Sequence, residues 1–320
     1  MKNVLYASLS AVGAIIGAGF ASGREIDSFF SRYGMWSWVG IAAAAAVVML
    51  LGMRIVQHPE QGGMPTGWQG KWQGTLWKTM FGLLLASTGG AMLAGGGEIA
   101  ALMLPVRGAY LIGFICTMSA TVLLARKGLE ASGLASGVLV ILLLTLVAAG
   151  MMQQPEKAVV LPDGGLVQSL LHGSAYAGFN MALAAPALCI SVNRLTGRER
   201  KQVVLLLVMM LATLLGAGNG LLLRHSALGG SAMPYIQLLM KWGRGGYWLG
   251  GGCMYAAVLT TACASYRGLK VVVGSRRGIA EASCMLLFAC IGFSGVVDMV
   301  YPLLGASCLA LMAASFLLEK

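Results

Sequence analysis

The residues best suited to binding chemistry lie in the first apolar segment, where residues 13–25 read GAIIGAGFASGRE. Gly13, Gly17, Gly19 and Gly23 each cost a continuous helix about 1 kcal/mol relative to alanine. A helix that unwinds within a bilayer exposes peptide groups that lipid cannot satisfy, so these groups must line a cavity or bind something polar. A packing face of the GxxxG type explains the same spacing equally well. A dinucleotide-binding loop is excluded, because the glycine spacing is wrong and no strand or acidic partner follows.

A second interruption lies half a chain later, where residues 172–180 read HGSAYAGFN and Pro186 follows within the same apolar segment. Tyr176 and Asn180 offer hydrogen-bonding groups at a depth where lipid-facing helices rarely carry them. Interrupted helices at equivalent places in two halves of a chain are typical of the central site of a transporter. The pair of interruptions therefore carries more weight than either one alone.

The composition indicates that these two segments belong to a membrane protein. Of the 320 residues, 58% are hydrophobic and 10% are charged, with a mean hydropathy of +0.80, so the chain cannot cover a soluble surface of this size. One span takes about 20 apolar residues, which leaves room for about ten spans and short loops. The predicted spans are residues 4–33, 36–57, 76–104, 108–126, 130–152, 164–191, 202–223, 245–271, 279–296 and 298–317.

The predicted spans divide into two five-helix repeats, residues 1–152 and 164–320, joined by an extracellular linker at 153–163. Because five is odd, the second repeat enters the membrane from the opposite side, and an inverted repeat follows. Most of the 22 basic residues fall in loops on one side, which predicts cytoplasmic termini. The net charge of +11 is therefore interpreted as a topology signal, and no nucleic-acid partner is expected.

The cysteines and polar residues favour neither an enzyme nor a metalloprotein. Seven cysteines are scattered through apolar runs without CxxC or Cys/His clustering, which argues against a disulfide framework, zinc or haem. The chain contains no HExxH motif, no paired aspartates on facing helices and no Ser/His dyad. We therefore expect no catalytic residues and no cofactor other than a sodium ion.

Residues 17–26, GAGFASGREI, with Phe29 and Phe30 resemble the signature of the YkvI family of bacterial membrane proteins. That family is similar to the amino acid–polyamine–organocation transporters that share the LeuT fold. Weaker matches to the same family lie at residues 92–97, 176–186 and 260–262. The resemblance implies an all-α protein of the bacterial inner membrane, with ten helices in a LeuT-like inverted repeat and with helices one and six discontinuous.

The resemblance also implies two sets of binding residues. The expected solute site consists of Gly17, Ala18, Gly19, Phe20, Ala21, Ser22, Gly23, Tyr176, Ala177, Gly178, Phe179 and Asn180. The expected sodium site consists of the carbonyl oxygens of Gly13, Ile16 and Ala257 and the hydroxyl groups of Thr260 and Thr261. Taken alone, the two threonines are better explained by a packing pair that bonds back to its own helix carbonyls.

Acidic residues at membrane depth are costly and usually functional. Arg24, Glu25 and Glu98 are candidates for gating or proton coupling. The alternative is a structural ion pair between Arg24 and Glu25 or Glu98 near the outer interface. Asp298 is expected in the loop between spans nine and ten.

Together these features predict a secondary active transporter of a small, amino-acid-like solute. The resemblance implies alternating access, in which spans one, two, six and seven rock against spans three, four, eight and nine. Sodium is the expected coupling ion and a proton the second candidate. The alternative is a receptor of the same fold, of the germinant-sensing type, which binds its ligand without transport.

Overall fold

The computed structural model describes residues 2–61, 72–126, 150–155, 162–274 and 278–318, and within them the regular structure is all helical. The α-helices are α1 (Lys2–Ile15), α2 (Ala18–Ser22), α3 (Arg24–Phe29), α4 (Ser37–Ile55), α5 (Trp72–Met103), α6 (Ala109–Arg126), α7 (Leu166–Val192), α8 (Gly197–Arg224), α9 (Pro234–Met240), α10 (Gly243–Val273), α11 (Ile279–Ala289), α12 (Phe293–Gly295) and α13 (Tyr301–Leu318). A π-helical turn, Val296–Val300, joins α12 to α13.

Several of these helices are suited to cross a bilayer. By length and composition, six helical segments qualify within the described residues: Ser31–Ile55, Trp72–Met103, Leu166–Val192, Gly197–Arg224, Gly243–Val273 and Phe293–Ser315. Two shorter apolar helices lie at Ala109–Ala125 and Ile279–Ala289. The chain is therefore a multi-pass membrane protein. The predicted span 130–152 lies almost entirely outside the described residues, so a total of ten spans stays a prediction.

The surface of the helices is apolar, as a lipid environment requires. Leu50, Leu111, Ile190 and Val271 each expose more than half of their side-chain surface. Such a surface is unfavourable in water but matches hydrocarbon. Three buried charged residues, Arg24, Glu25 and Asp27, lie close together in the first helical segments.

The long helices pack in two groups within the described residues. In the first group, α1 and α4 each pack on both α7 and α8, and α13 also packs on α7. In the second group, α6, α10 and α11 pack around the long helix α5. The short helices α2 and α3 lie between them, because α2 contacts α10 while α3 contacts α7 and α8.

The predicted interruption of the sixth helix is wrong, since α7 runs without a break from Leu166 to Val192 with Pro186 inside it. The glycines of this helix serve close packing instead. A Cβ atom at Gly173 would overlap the backbone of Gly40 in α4, and one at Gly178 would overlap the Gly305 carbonyl in α13. These glycines let three helix backbones approach one another, which is the role that small residues play in membrane interfaces.

The boundary between the last two spans also differs from the prediction. Helix α11 ends at Ala289, and helical structure resumes at Phe293 after Gly292 with φ +84°. Asp298 therefore lies in the π-helical turn within the last span and not in a loop. A π-turn inserts an extra residue into a helix and is often found at functional sites.

Close packing at Gly173 predicts the effect of a single methyl group. Gly173→Ala places a Cβ within 2.8 Å of the Gly40 carbonyl carbon and 3.0 Å of its Cα, and backbone atoms cannot move aside cheaply. We expect a loss of about 1–3 kcal/mol of stability from overpacking. Thermal unfolding of the detergent-purified protein measures it.

Gly252→Ala is the matched control, because Gly252 is also helical but has nothing within 4 Å of the added atom. That variant should be neutral or slightly more stable, since alanine is the better helix former. Equal unfolding temperatures for the two variants would contradict the packing role of Gly173.

Candidate functional site

The first span is interrupted at Ile16 and Gly17, between α1 and α2. The Gly17 amide, which a continuous helix would donate to the Gly13 carbonyl, donates instead to the Ile15 carbonyl at 2.9 Å. Gly17 itself is extended, with φ −88° and ψ −174°. The helical hydrogen-bond pattern is therefore lost where the sequence predicted a break.

A second interruption follows at Gly23, between α2 and α3. Gly23 has φ +83°, which side-chain-bearing residues rarely adopt, and an added Cβ would lie 2.9 Å from the ring of Tyr235. The Ser22 hydroxyl donates to the Gly19 carbonyl at 2.7 Å and accepts the Arg24 amide at 3.2 Å. Ser22 thus satisfies peptide groups on both sides of this turn, and α9 covers it with Tyr235.

The segment after the first break is buried although it is charged. Residues 18–30 are all buried, including Arg24, Glu25 and Asp27, which are 5%, 4% and 6% exposed. Charges at this depth are expensive unless they are paired, so their partners indicate what the segment does. The two acidic residues have different surroundings.

Arg24 and Asp27 belong to an ionic network, which comprises Arg24, Asp27, Arg32, Asp163 and Asp298. Arg24 pairs with Asp298 through Nη2 and with Asp27 through Nη1 at 3.3 Å. Arg32 Nη2 lies 3.2 Å from the other oxygen of Asp298. Arg32 Nε lies 3.9 Å from Asp163, a longer and more exposed contact. The network joins α3 to the π-helical turn, 274 residues away in sequence.

The loop after α8 is tied to the same network through its backbone. The Ser231 carbonyl accepts from Arg24 Nη1 at 3.2 Å, and the Gly230 amide donates to Asp27 at 3.0 Å. These contacts correct the predicted partners of Arg24, which pairs with neither Glu25 nor Glu98. Glu98 lies half-buried on α5, close to Tyr110 of α6.

A pocket of about 320 Å³ opens beside the network. Its lining includes the charged side chains of Asp27, Arg32 and Asp163, together with Gly229 and Gly230 of the loop after α8. The pocket is thus lined by both positively and negatively charged side chains. The pocket reaches Asp27 at the buried end of the network, so it leads toward α3.

Glu25 faces away from the ionic network, toward two phenols. Its carboxylate folds back over Gly19, where an added Cβ would overlap it, and its Oε2 atom has no hydrogen-bond partner. The carboxylate interacts electrostatically with Tyr176 of α7 and Tyr301 of α13. Both tyrosines are fully buried, and neither hydroxyl has a hydrogen bond of good geometry, although Thr88 lies beside the Tyr301 hydroxyl.

The solute-site residues predicted in the second half lie on α7, which is unbroken there and passes close to Glu25. The ring of Tyr176 packs edge-on against Phe29 and Phe30, with centroids 5.3 Å and 5.1 Å away. Phe179 stacks on Tyr301 at 4.2 Å. The side chain of Asn180 donates to the Tyr176 carbonyl at 3.0 Å, within its own helix. Tyr176 therefore packs against the end of α3, whereas Gly178 and Phe179 both pack on α13.

The predicted sodium ligands lie on two elements that approach each other. An added Cβ at Gly17 would lie 3.5 Å from the side chain of Thr261, so α10 passes the first break at this level. The Thr260 hydroxyl donates to the Ala257 carbonyl at 3.0 Å, as expected for a hydroxyl that bonds back to its own helix. Ala257 is buried, and both threonines are half-buried.

Sequence reasoning missed Tyr235, Tyr301 and the role of Asp298. A tyrosine inside an apolar run is a weak signal, because most such residues simply fill a core. The charge of Asp298 between two apolar runs was visible, but its partners could not be found without the fold. Within the described residues, no three His, Cys, Asp or Glu side chains come together as a metal site.

Comparison with known sequences gives a short match. No protein-family model matches the chain. The uncharacterized membrane protein YkvI of Bacillus subtilis (strain 168) is 42% identical over 45 residues, which cover 14% of this chain and 13% of that protein. The match thus spans about an eighth of the length of this relative, and it supports a membrane protein.

Comparison with solved structures gives a match over the whole fold. The manganese transporter of Eremococcus coleocola, in complex with an aromatic bis-isothiourea substituted compound, aligns with a TM-score of 0.60 and 12% identity, covering 98% of this chain and 76% of that one. Two mutants of that transporter align with a TM-score of 0.57 over 97% of this chain and 77% of theirs. The chain therefore shares the fold of a membrane transporter.

The ionic network predicts a large cost for the loss of Arg24. Arg24→Met leaves Asp27 buried without its cation, and removal of one partner of a buried pair typically costs about 3–5 kcal/mol. We expect a clearly lower unfolding temperature for this variant. Arg107→Met, at an exposed arginine, is the matched control and should unfold like the wild type.

A double-mutant cycle tests the pairing itself. If Arg24 and Asp298 interact, Arg24→Met combined with Asp298→Asn should cost clearly less than the sum of the two single changes. Additive costs would mean that the two side chains stabilise the fold independently of each other.

Proposed function

We propose that this protein is a secondary active transporter that moves a small, amino-acid-like solute together with an ion by alternating access. The observation that carries the proposal is the doubly interrupted first span, buried between two groups of packed helices. Interrupted helices near the bilayer midplane are the feature by which many transporters bind substrate and ion. The shared fold with a membrane transporter supports the same conclusion.

The proposed architecture is a LeuT-like inverted repeat of ten helices, with residues 1–152 and 164–320 as its halves. The packing of the described helices supports the proposed division into two moving groups. Spans one, two, six and seven form one group, and spans three, four, eight and nine form the other. Alternating access then consists of rocking between these groups around α2 and α3. With both termini in the cytoplasm of a bacterial inner membrane, the ionic network lies on the extracellular side.

The proposed solute site lies along Gly17–Gly23, with Tyr176 and Phe179 opposite. The peptide groups released at Gly17 are polar, and the rings of Tyr176 and Phe179 would supply an apolar wall, a combination that suits a small molecule with an apolar side chain and charged ends. The pocket beside Arg32 and Asp163 offers both charge signs on the way in, which favours a zwitterion over a molecule of one charge. An amino acid meets these requirements.

A metal ion as the cargo is the competing substrate class, because the similar solved structures are manganese transporters. Divalent metals of that kind need several oxygen, nitrogen or sulfur ligands at one point. The described residues bring together no three His, Cys, Asp or Glu side chains, which favours the organic solute.

The proposed sodium site lies between the first break and α10. The Gly17 amide no longer bonds to the Gly13 carbonyl, and Thr261 lies next to Gly17, which supports a site made of carbonyl and hydroxyl oxygens there. The full proposed set is Gly13, Ile16, Ala257, Thr260 and Thr261. Hard oxygen donors of this type suit an alkali cation.

The decisive experiment is uptake into proteoliposomes, with each of the twenty amino acids supplied with and without sodium. We expect saturable uptake of at least one amino acid above protein-free vesicles. Saturable binding in a thermal-shift screen without any flux would instead favour a receptor that binds and does not transport. Absence of both binding and flux across the panel, with manganese flux present, would overturn the proposal.

The sodium site makes a prediction of its own. Replacement of Thr260 and Thr261 by valine removes two hydroxyl ligands at nearly constant volume, so the sodium-dependent gain in thermal stability should disappear. At a sodium concentration of 100 times the dissociation constant, that gain is about 2.7 kcal/mol in the wild type.

Thr213→Val is the matched control, since Thr213 also bonds back to its own helix, at Met209, but lies away from the first break. A sodium effect that survives in the Thr260 and Thr261 variant would place the ion elsewhere.

A further inference from the structure

Glu25 is a buried acidic side chain that the proposed solute and sodium sites leave without a role. It is 4% exposed, and its Oε2 atom has no hydrogen-bond partner among the residues that the structure describes. The guanidinium of the neighbouring Arg24 is directed to Asp27, Ser231 and Asp298 instead. Among the described residues, no cationic side chain thus pairs with Glu25, although Arg24 is its neighbour in the sequence.

The groups that face Glu25 from the surrounding elements are almost all neutral. Tyr176 of α7 and Tyr301 of α13 lie near enough to the carboxylate to interact with its charge. Tyr235 of α9 covers the turn at Gly23 and interacts with Asp27. The charged groups nearby, Arg24, Asp27 and Asp298, are paired with one another in the ionic network.

An ionised carboxylate in such surroundings is unstable. The transfer of an unpaired charge from water into an apolar interior is costly, so the group either gains a cation or becomes neutral. The side chain is packed against Gly19 so closely that an added methyl group there would overlap it. A proton is the cation that this packing accommodates without rearrangement.

We propose that the carboxyl group of Glu25 binds a proton that crosses the membrane together with the solute, in addition to the sodium ion proposed above. An O–H bond forms at the carboxylate when the site is open to one side of the membrane and takes a proton from water there. The bond breaks when the site opens to the other side, and the proton leaves to water there. After the proton has left, the hydroxyl groups of Tyr176 and Tyr301 stabilise the ionised carboxylate by donating hydrogen bonds to it, until the next proton is taken up. This inference rests on the proposed transport function.

Infrared spectroscopy tests the proton independently of transport. In a pH titration of the purified protein, difference spectra should contain a carbonyl stretching band of a protonated carboxyl group at neutral pH. The band should be absent in Glu25→Gln and shifted in Glu25→Asp, so either variant suffices if the other does not fold. Glu60→Gln, at an exposed glutamate, is the matched control and should leave the band unchanged. A band that is unchanged in both Glu25 variants would overturn the proposal.

Proteoliposomes test the coupling, with an equimolar mixture of the twenty radiolabelled amino acids as the probe. An inward proton gradient should drive accumulation by the wild type and by Glu60→Gln. Glu25→Gln mimics the protonated state, so it should keep exchange of labelled for unlabelled amino acids and lose accumulation. Accumulation by Glu25→Gln equal to the wild type would overturn the inference.

The two experiments separate this inference from the proposed function. If neither the wild type nor Glu25→Gln takes up any amino acid while the infrared band depends on Glu25, the proton site stands and the proposed solute class fails. If amino acids are transported but the band does not depend on Glu25, the transport function stands and the proton site fails.

Discussion

Peptide groups released inside a membrane must find partners within the protein, and this constraint shapes everything around the first span. The chain leaves helical geometry at Gly17 and again at Gly23, only six residues later. Lipid cannot satisfy the released groups, so the short helices between and after the breaks are completely enclosed. Ser22 bridges the second turn, Tyr235 covers it, and α10 approaches the first break through Thr261. The two groups of long helices are thereby arranged around an irregular segment rather than around a uniform apolar core.

The sequence predicted the first interruption correctly and the second wrongly, and glycine chemistry explains both results. A glycine permits a positive φ, as at Gly23, and it also permits the close approach of another backbone, as at Gly173 and Gly178. The sequence around each glycine is similar in both cases. What separates them is the partner, such as the carbonyl of Gly40 or Gly305, which lies far away in the chain. The class, six of the membrane spans and the first break were therefore predictable, whereas the continuity of the sixth helix depended on tertiary contacts.

The ionic network shows the same limit in electrostatics. Arg24 was identifiable from the sequence as a charge that needs a partner or a functional role, because an unpaired charge is not tolerated at membrane depth. Its partner Asp298 is 274 residues distant and lies in a π-helical turn that no local pattern indicates. A local ion pair with Glu25 was the simpler expectation. It fails because Arg24 points toward the loop at Ser231, whereas Glu25 points back over Gly19.

Glu25 and Asp27 have opposite environments because they are two residues apart on one short helix and so face different directions. Asp27 faces the loop and the pocket, while Glu25 faces the tyrosines. Helix α3 is flanked by Gly23 with φ +83° and by Phe30 with φ −132° and ψ −65°, so non-helical geometry frames it at both ends. Under the proposed function, a motion that separates Arg24 from Asp298 would turn the whole helix and move Glu25 relative to Tyr176 and Tyr301. Opening of the network and exposure of the buried carboxyl group would then be one event, as the proposed coupling of an ion to access requires.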